Sequence, residues 1–110
     1  MEEAWPVNVR YTRRALVQIN DALTYIEARS PQGAAHVRDR ILALISLLQE
    51  RPYAGRATSR PNVRRLPTNP YPYLIDYRVG ENEIVVLRFR HSHVGRSFRD
   101  DSNTDNEPPP

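Results

Sequence analysis

The spacing of apolar residues along this 110-residue chain runs from a period of two to a helical period and back again. From Val7 to Tyr11 apolar and polar residues alternate, with Val7, Val9 and Tyr11 on one side, which predicts a short half-buried strand. Thr12 can cap a helix whose apolar stripe falls at Leu16, Ile19, Leu23 and Ile26. Ser30 and Pro31 stop this helix and begin another, because serine is a good cap and a first-turn proline loses no hydrogen bond. The second stripe is Val37, Ile41, Leu44 and Leu48, widened by Ile45. So short a joint predicts an antiparallel helical hairpin.

Beyond Pro52 and Gly55 the strand period returns. Strands are predicted over Asn62 to Leu66, Tyr73 to Val79, and Glu83 to Phe89 or slightly beyond, the last two joined by a Gly80-Glu81-Asn82 turn. Strict alternation puts Val85, Leu87 and Phe89 on one face of the final strand, and Ile84, Val86, Arg88 and Arg90 on the other. The apolar run from Ile84 to Leu87 predicts a central strand covered on both sides. The expected fold class is α+β: an N-terminal strand, an antiparallel helical hairpin, then a three-stranded antiparallel ladder, forming one small sheet. Arg88 and Arg90 are expected on the face opposite the helices.

Length and composition narrow the classes. One domain is expected over residues 1–96, followed by a disordered, acidic, proline-terminated tail over 97–110 that has too little apolar surface to offset its ordering entropy. With no cysteine, disulfides, thiolate metal sites and a cysteine nucleophile are excluded. The acidic start is unlike a secretory signal, and no stretch approaches the ~20 apolar residues of a membrane helix. A cytoplasmic location is the expectation.

Charge sharpens the picture. Residues 51 to 93 carry eight arginines against Asp76, Glu81 and Glu83, a net of +5, while the first fifty residues balance to zero. No acidic residue occurs between Glu50 and Asp76, where Arg51, Arg56, Arg60, Arg64 and Arg65 lie. All sixteen basic residues are arginine, whose planar fork grips phosphate or carboxylate in a bidentate way. Such an asymmetry points to an anionic partner.

The candidate chemistry sits on the same module. His91 and His93 share strand parity with Phe89 and could move protons near neutral pH, or simply pack at the rim of the core. Arg64 and Arg65 are strand neighbours and must face opposite ways. Tyr73, Ile75 and Tyr77 share a face and read as packing rather than base stacking, while Asp76 on the other face could pair with an arginine of an adjacent strand. No cofactor is called for, and no spacing matches a metal site.

Four segments carry a family resemblance: Pro52-Tyr-Ala-Gly-Arg56, Val63-Arg-Arg-Leu66, Tyr73-Leu-Ile-Asp-Tyr-Arg-Val79, and Glu83-Ile-Val-Val-Leu-Arg-Phe-Arg-His91. In this order the chain resembles the RelE/ParE superfamily of toxins from bacterial type II toxin–antitoxin operons, over residues 7 to about 96. The resemblance implies a cognate ParD-like antitoxin that wraps the toxin. On the ParE branch it implies inhibition of DNA gyrase by binding. On the RelE branch it implies ribosome-dependent cleavage of mRNA, with Arg64 and Arg88 on the scissile phosphate and His91 as general acid or base. Arg64 matches the family's basic residue after the Gly-Arg loop, and Arg88 and His91 match its Leu-Arg-x-x-His. Where many relatives have an arginine three residues after that histidine, this chain has Val94. It also lacks lysine, and its only aromatic residue after His91 is Phe98, which cannot transfer a proton. The ParE branch is the expectation. Arg56, Arg64, Arg65, Arg78, Arg88, Arg90, His91 and His93 are then the candidate target-binding residues.

Overall fold

The computed structural model of the protein describes residues 7–92. Strand β1 (Asn8–Tyr11) leads into helices α1 (Arg13–Arg29) and α2 (Pro31–Glu50). Strands β2 (Arg56–Ala57), β3 (Val63–Pro67), β4 (Tyr73–Val79) and β5 (Glu83–His91) follow. They form one sheet in the order β1-β5-β4-β3-β2, with β1 parallel to β5 and every other pair antiparallel. The fold is α+β, as the periodicities predict, but the sheet is five-stranded and mixed. Two departures account for this. The loop after α2 contributes the two-residue edge strand β2, too short to produce a pattern of its own. The chain also leaves the hairpin at the edge farthest from β1, and the antiparallel run from β2 ends with β5 beside β1 and pointing the same way.

The helices begin where their caps lie. Thr12 Oγ1 accepts the Ala15 N–H at 3.0 Å and Ser30 Oγ accepts the Gly33 N–H at 2.9 Å. Ser30 also donates its own N–H to the Ile26 carbonyl at 2.7 Å, so one residue closes α1 and opens α2. A single-residue joint leaves the helices no choice but to fold back on each other.

The core lies between this hairpin and one sheet face. Val37, Ile41, Leu44, Ile45 and Leu48 of α2 are buried as predicted, against Ile75, Tyr77, Ile84, Val86 and Phe89. In α1 Ile19, Leu23 and Ile26 of the predicted stripe pack against the core, but its first member does not: Ala15 is fully buried in its place, whereas Leu16 is 53% exposed. The cap at Thr12 sets the helix phase, and the small Ala15 faces the sheet where a leucine would be overpacked.

The parity of β5 also departs from strict alternation. Tyr77 pairs with Val86 but Asp76 pairs with Arg88, so Leu87 is an extra residue at a β-bulge. Ile84 and Val86 therefore share the core face with Phe89, not the face of Arg88 and Arg90. The expectation that Ile84 to Leu87 is covered on both sides holds for Ile84, Val85 and Val86, which are all buried with β5 between β1 and β4, but not for Leu87, which is half-buried.

β1 ends opposite Val86, and side chains take over its pairing role. Thr12 Oγ1 donates to the Leu87 carbonyl at 3.0 Å, and Gln18 Oε1 accepts the Phe89 N–H at 2.9 Å. Helix α1 thus satisfies backbone groups that no strand reaches. The predicted 97–110 tail lies outside the described residues, and no helix within them is long and apolar enough to cross a membrane.

Candidate functional site

On the sheet face turned away from the helices, the register lines up one row of side chains across four strands: Arg56 of β2, Arg65 of β3, Asp76 of β4 and Arg88 of β5. At about 4.8 Å between strands, this row spans roughly 14 Å. The next row holds Val63, Arg78 and Val85, continued on β1 by Arg10. Arg90 lies on the same face opposite Leu74.

Asp76 is the centre of this array. It is 2% exposed and its carboxylate is a shared acceptor. Arg65 donates to both oxygens, through Nε at 2.8 Å and Nη2 at 3.3 Å. From the other side Arg88 Nη2 lies 3.2 Å from Oδ2, and Arg90 Nη2 lies 3.8 Å from it. Burying a carboxylate is costly unless it is paired and hydrogen-bonded, and a bidentate arginine is a strong partner for it. Three guanidinium groups converge on this one carboxylate, which helps to fix them in place. Exposed Arg56 and Arg78 flank it.

At the far edge Arg10 pairs with Glu83 through two hydrogen bonds of 2.9 and 3.1 Å. The Arg10 hydrogen bond holds the Glu83 carboxyl below its ordinary pKa, and Glu83 in turn raises that of Arg10.

The remaining predicted residues sit elsewhere. Arg64 shares the core face with its partner Tyr77, and its Nη1 donates to the Gly55 carbonyl at 2.8 Å. Its guanidinium stands 5.0 Å over the ring of Tyr53, which is itself 66% exposed. His91 is also on the helix side, its ring edge-on to Tyr73 at 5.3 Å, and Tyr73 stacks on Phe89 at 4.9 Å. Beside it opens a cleft of about 320 Å³, lined by Gln18, Ala22, Tyr25, Tyr73, Phe89 and His91 among others. Burial raises the Tyr73 hydroxyl pKa, so this phenol stays protonated at neutral pH. His93 lies outside the described residues.

The structure therefore brings Arg56, Arg65, Arg78, Arg88 and Arg90 onto one face and leaves Arg64 and His91 on the other. Arg88 is separated from Arg64 and His91 by the thickness of the sheet. Arg64 and His91 are in turn set apart along it, in the rows of Tyr77 and Tyr73. Among the described residues no three His, Asp or Glu side chains gather as metal ligands.

Sequence reasoning missed one positioning group. The Tyr77 hydroxyl is buried, accepts the Gly55 N–H at 2.8 Å and donates to the Pro52 carbonyl at 2.8 Å. It thereby pins the loop that delivers Arg56 to the sheet edge. Gly55 has room for nothing more, since a Cβ there would stand 2.7 Å from the Tyr77 oxygen and 2.9 Å from the Arg65 carbonyl. The Pro-Tyr-Ala-Gly-Arg segment was the available signal, but not which tyrosine closes on it.

The sequence model of the family described as "ParE toxin of type II toxin-antitoxin system, parDE" matches residues 9–93. The chain belongs to the ParE toxin family. That ParE match runs from β1 through the end of β5, so both sheet faces and the helical hairpin fall inside it. A Sinorhizobium fredii protein named "Putative toxin Y4kP" is 34% identical over 85 residues, covering 77% of this chain and 88% of that one. A solved structure titled "Chromosomal ParDE TA system from P. aeruginosa" superposes with a TM-score of 0.68 at 25% identity. It covers 77% of this chain and 95% of its own.

Proposed function

We propose that this ParE-family protein is the toxin of a toxin–antitoxin pair, that it inhibits DNA gyrase by binding, and that a ParD-like antitoxin neutralises it. The observation that carries binding over catalysis is the separation of Arg88 from Arg64 and His91 by the sheet. A phosphoryl-transfer site needs its proton carrier and its cations around one reacting atom. Here Arg56, Arg65, Arg78, Arg88 and Arg90 gather instead on one face with Asp76, an arrangement suited to holding an anionic surface. Supporting the antitoxin partner, the solved neighbour is titled as a ParDE system. The helices also leave Leu16, Val17, Tyr25 and Leu42 at least half exposed, and large exposed apolar side chains mark docking surfaces.

The test uses purified protein against two targets. Loss of gyrase supercoiling with ribosome-bound mRNA left intact is the expected result. Cleavage of that mRNA, with supercoiling unaffected, would refute it and favour the ribonuclease alternative. Antitoxin binding is expected to neutralise either activity, and to weaken as salt rises if acidic residues of the antitoxin meet the arginines.

A further inference from the structure

We propose that the sheet face opposite the helices binds the phosphate backbone of duplex DNA, and that Asp76 is the positioning residue that organises this face. The inference rests on the gyrase reading, since it makes the DNA held by the target a direct contact of the toxin. Two features of the face carry it.

The first is its charge geometry. Arg56, Arg65 and Arg88 lie in one row with Asp76, and Arg78 and Arg90 stand in the rows on either side. The bidentate Arg65–Asp76 pair and the Arg88 and Arg90 contacts lock three guanidinium groups to one buried carboxylate. A pre-set cationic surface loses little side-chain entropy when it meets a row of phosphates.

The second is the absence of aromatic rings among the described residues of this face. The residues that β2 to β5 direct to this face are Arg, Val, Pro, Leu, Asp and Glu, while Tyr73, Tyr77 and Phe89 all point to the helices. Single-stranded nucleic acid is held largely by bases stacked on aromatic rings, which this face does not offer. Backbone-only contact is what a duplex presents to a flat cationic surface.

The experiment measures binding of the purified full-length protein to a 24-base-pair mixed-sequence DNA duplex by fluorescence anisotropy, across roughly 50 to 200 mM salt. Expected for the unaltered protein is a log–log salt slope steeper than about −2, with single-stranded DNA of equal length bound no more tightly. Replacing both exposed flanking arginines (Arg56→Gln with Arg78→Gln) is expected to flatten that slope by about 2. Asp76→Asn separates positioning from charge. It adds one positive charge, so charge alone predicts tighter binding, whereas loss of the organising carboxylate predicts binding several-fold weaker at every salt concentration. Thermal unfolding of the variant identifies a folding failure, and in that event the arginine pair decides. The proposal is overturned by no duplex binding at 50 mM salt, by an unchanged slope in the arginine variant, or by tighter binding of a folded Asp76→Asn protein. It is equally overturned if a poly-glutamate peptide binds and the duplex does not. Because gyrase is absent from the assay, supercoiling inhibition without duplex binding sinks this inference and leaves the gyrase reading standing.

Discussion

Replacing Tyr77 with phenylalanine removes one buried oxygen and tests how the loop that carries Arg56 is held. The ring is fully buried, and its hydroxyl serves two backbone groups, the Gly55 N–H and the Pro52 carbonyl, each at 2.8 Å. Each hydrogen bond is worth about 1 kcal/mol net, and a buried donor left without a partner costs about 1–3 kcal/mol. The Gly55 N–H is such a donor, because Gly55 is buried and its surroundings are filled by the Tyr77 ring. The expected loss is therefore about 2–3 kcal/mol, a drop in Tm of roughly 10–20 °C for a domain of this size. Urea unfolding gives the first number and calorimetry the second. Amide hydrogen exchange adds a local readout, since Gly55 should exchange far faster in the variant while amides of β4 and β5 slow or quicken only with global stability. A loss below about 0.5 kcal/mol, or an unchanged Gly55 amide, would show that the loop is held by something other than this hydroxyl.

Three further outcomes follow from the same contacts. Thr12→Ala should cost about 2 kcal/mol in urea unfolding, because it removes both the cap to Ala15 and the hydrogen bond to the Leu87 carbonyl that β1 ends too early to reach. Leu16→Gln should change stability by less than about 0.5 kcal/mol, whereas Ala15→Leu should cost about 1–3 kcal/mol or more by overpacking; comparable costs at both positions would contradict the helix phase. Glu83 has its folded pKa lowered by Arg10, so its contribution is present above the ordinary carboxylate value of 4.5 and is lost as pH falls through the lower folded value. Arg10→Gln should accordingly flatten the acid limb of the stability–pH curve, and an unaltered limb would deny the pair any role.

Much of the architecture was legible along the chain because it rests on local chemistry. Thr12, Ser30 and Pro31 set helix boundaries through hydrogen bonds within a few residues, and Gly80-Glu81-Asn82 closes a hairpin for the same reason. The burial of α2 follows from its stripe. The opposite facing of Arg64 and Arg65 follows from strand parity, and the pairing of Asp76 with neighbouring arginines from parity plus charge.

What tertiary structure decided was the phase of each pattern and the company each side chain keeps. A single inserted residue at Leu87 changes which side chains of β5 reach the core, and nothing in the composition of Ile84 to Phe89 marks its place. The bulge is settled by the β4–β5 register, a contact between strands rather than a property of one. The two-residue β2 exists only because β3 offers an edge, and β1 gains a parallel partner only because the run of antiparallel strands ends beside it with β5. Arginine-rich composition announced a cationic surface, but not that Arg65, Arg88 and Arg90 would share one buried carboxylate while Arg64 turned inward to hold a loop. Side-chain charge is encoded residue by residue. The distance between charges on different strands, such as Asp76 and Arg88, is set by strand pairing, and the chemistry of the sheet face depends on that distance.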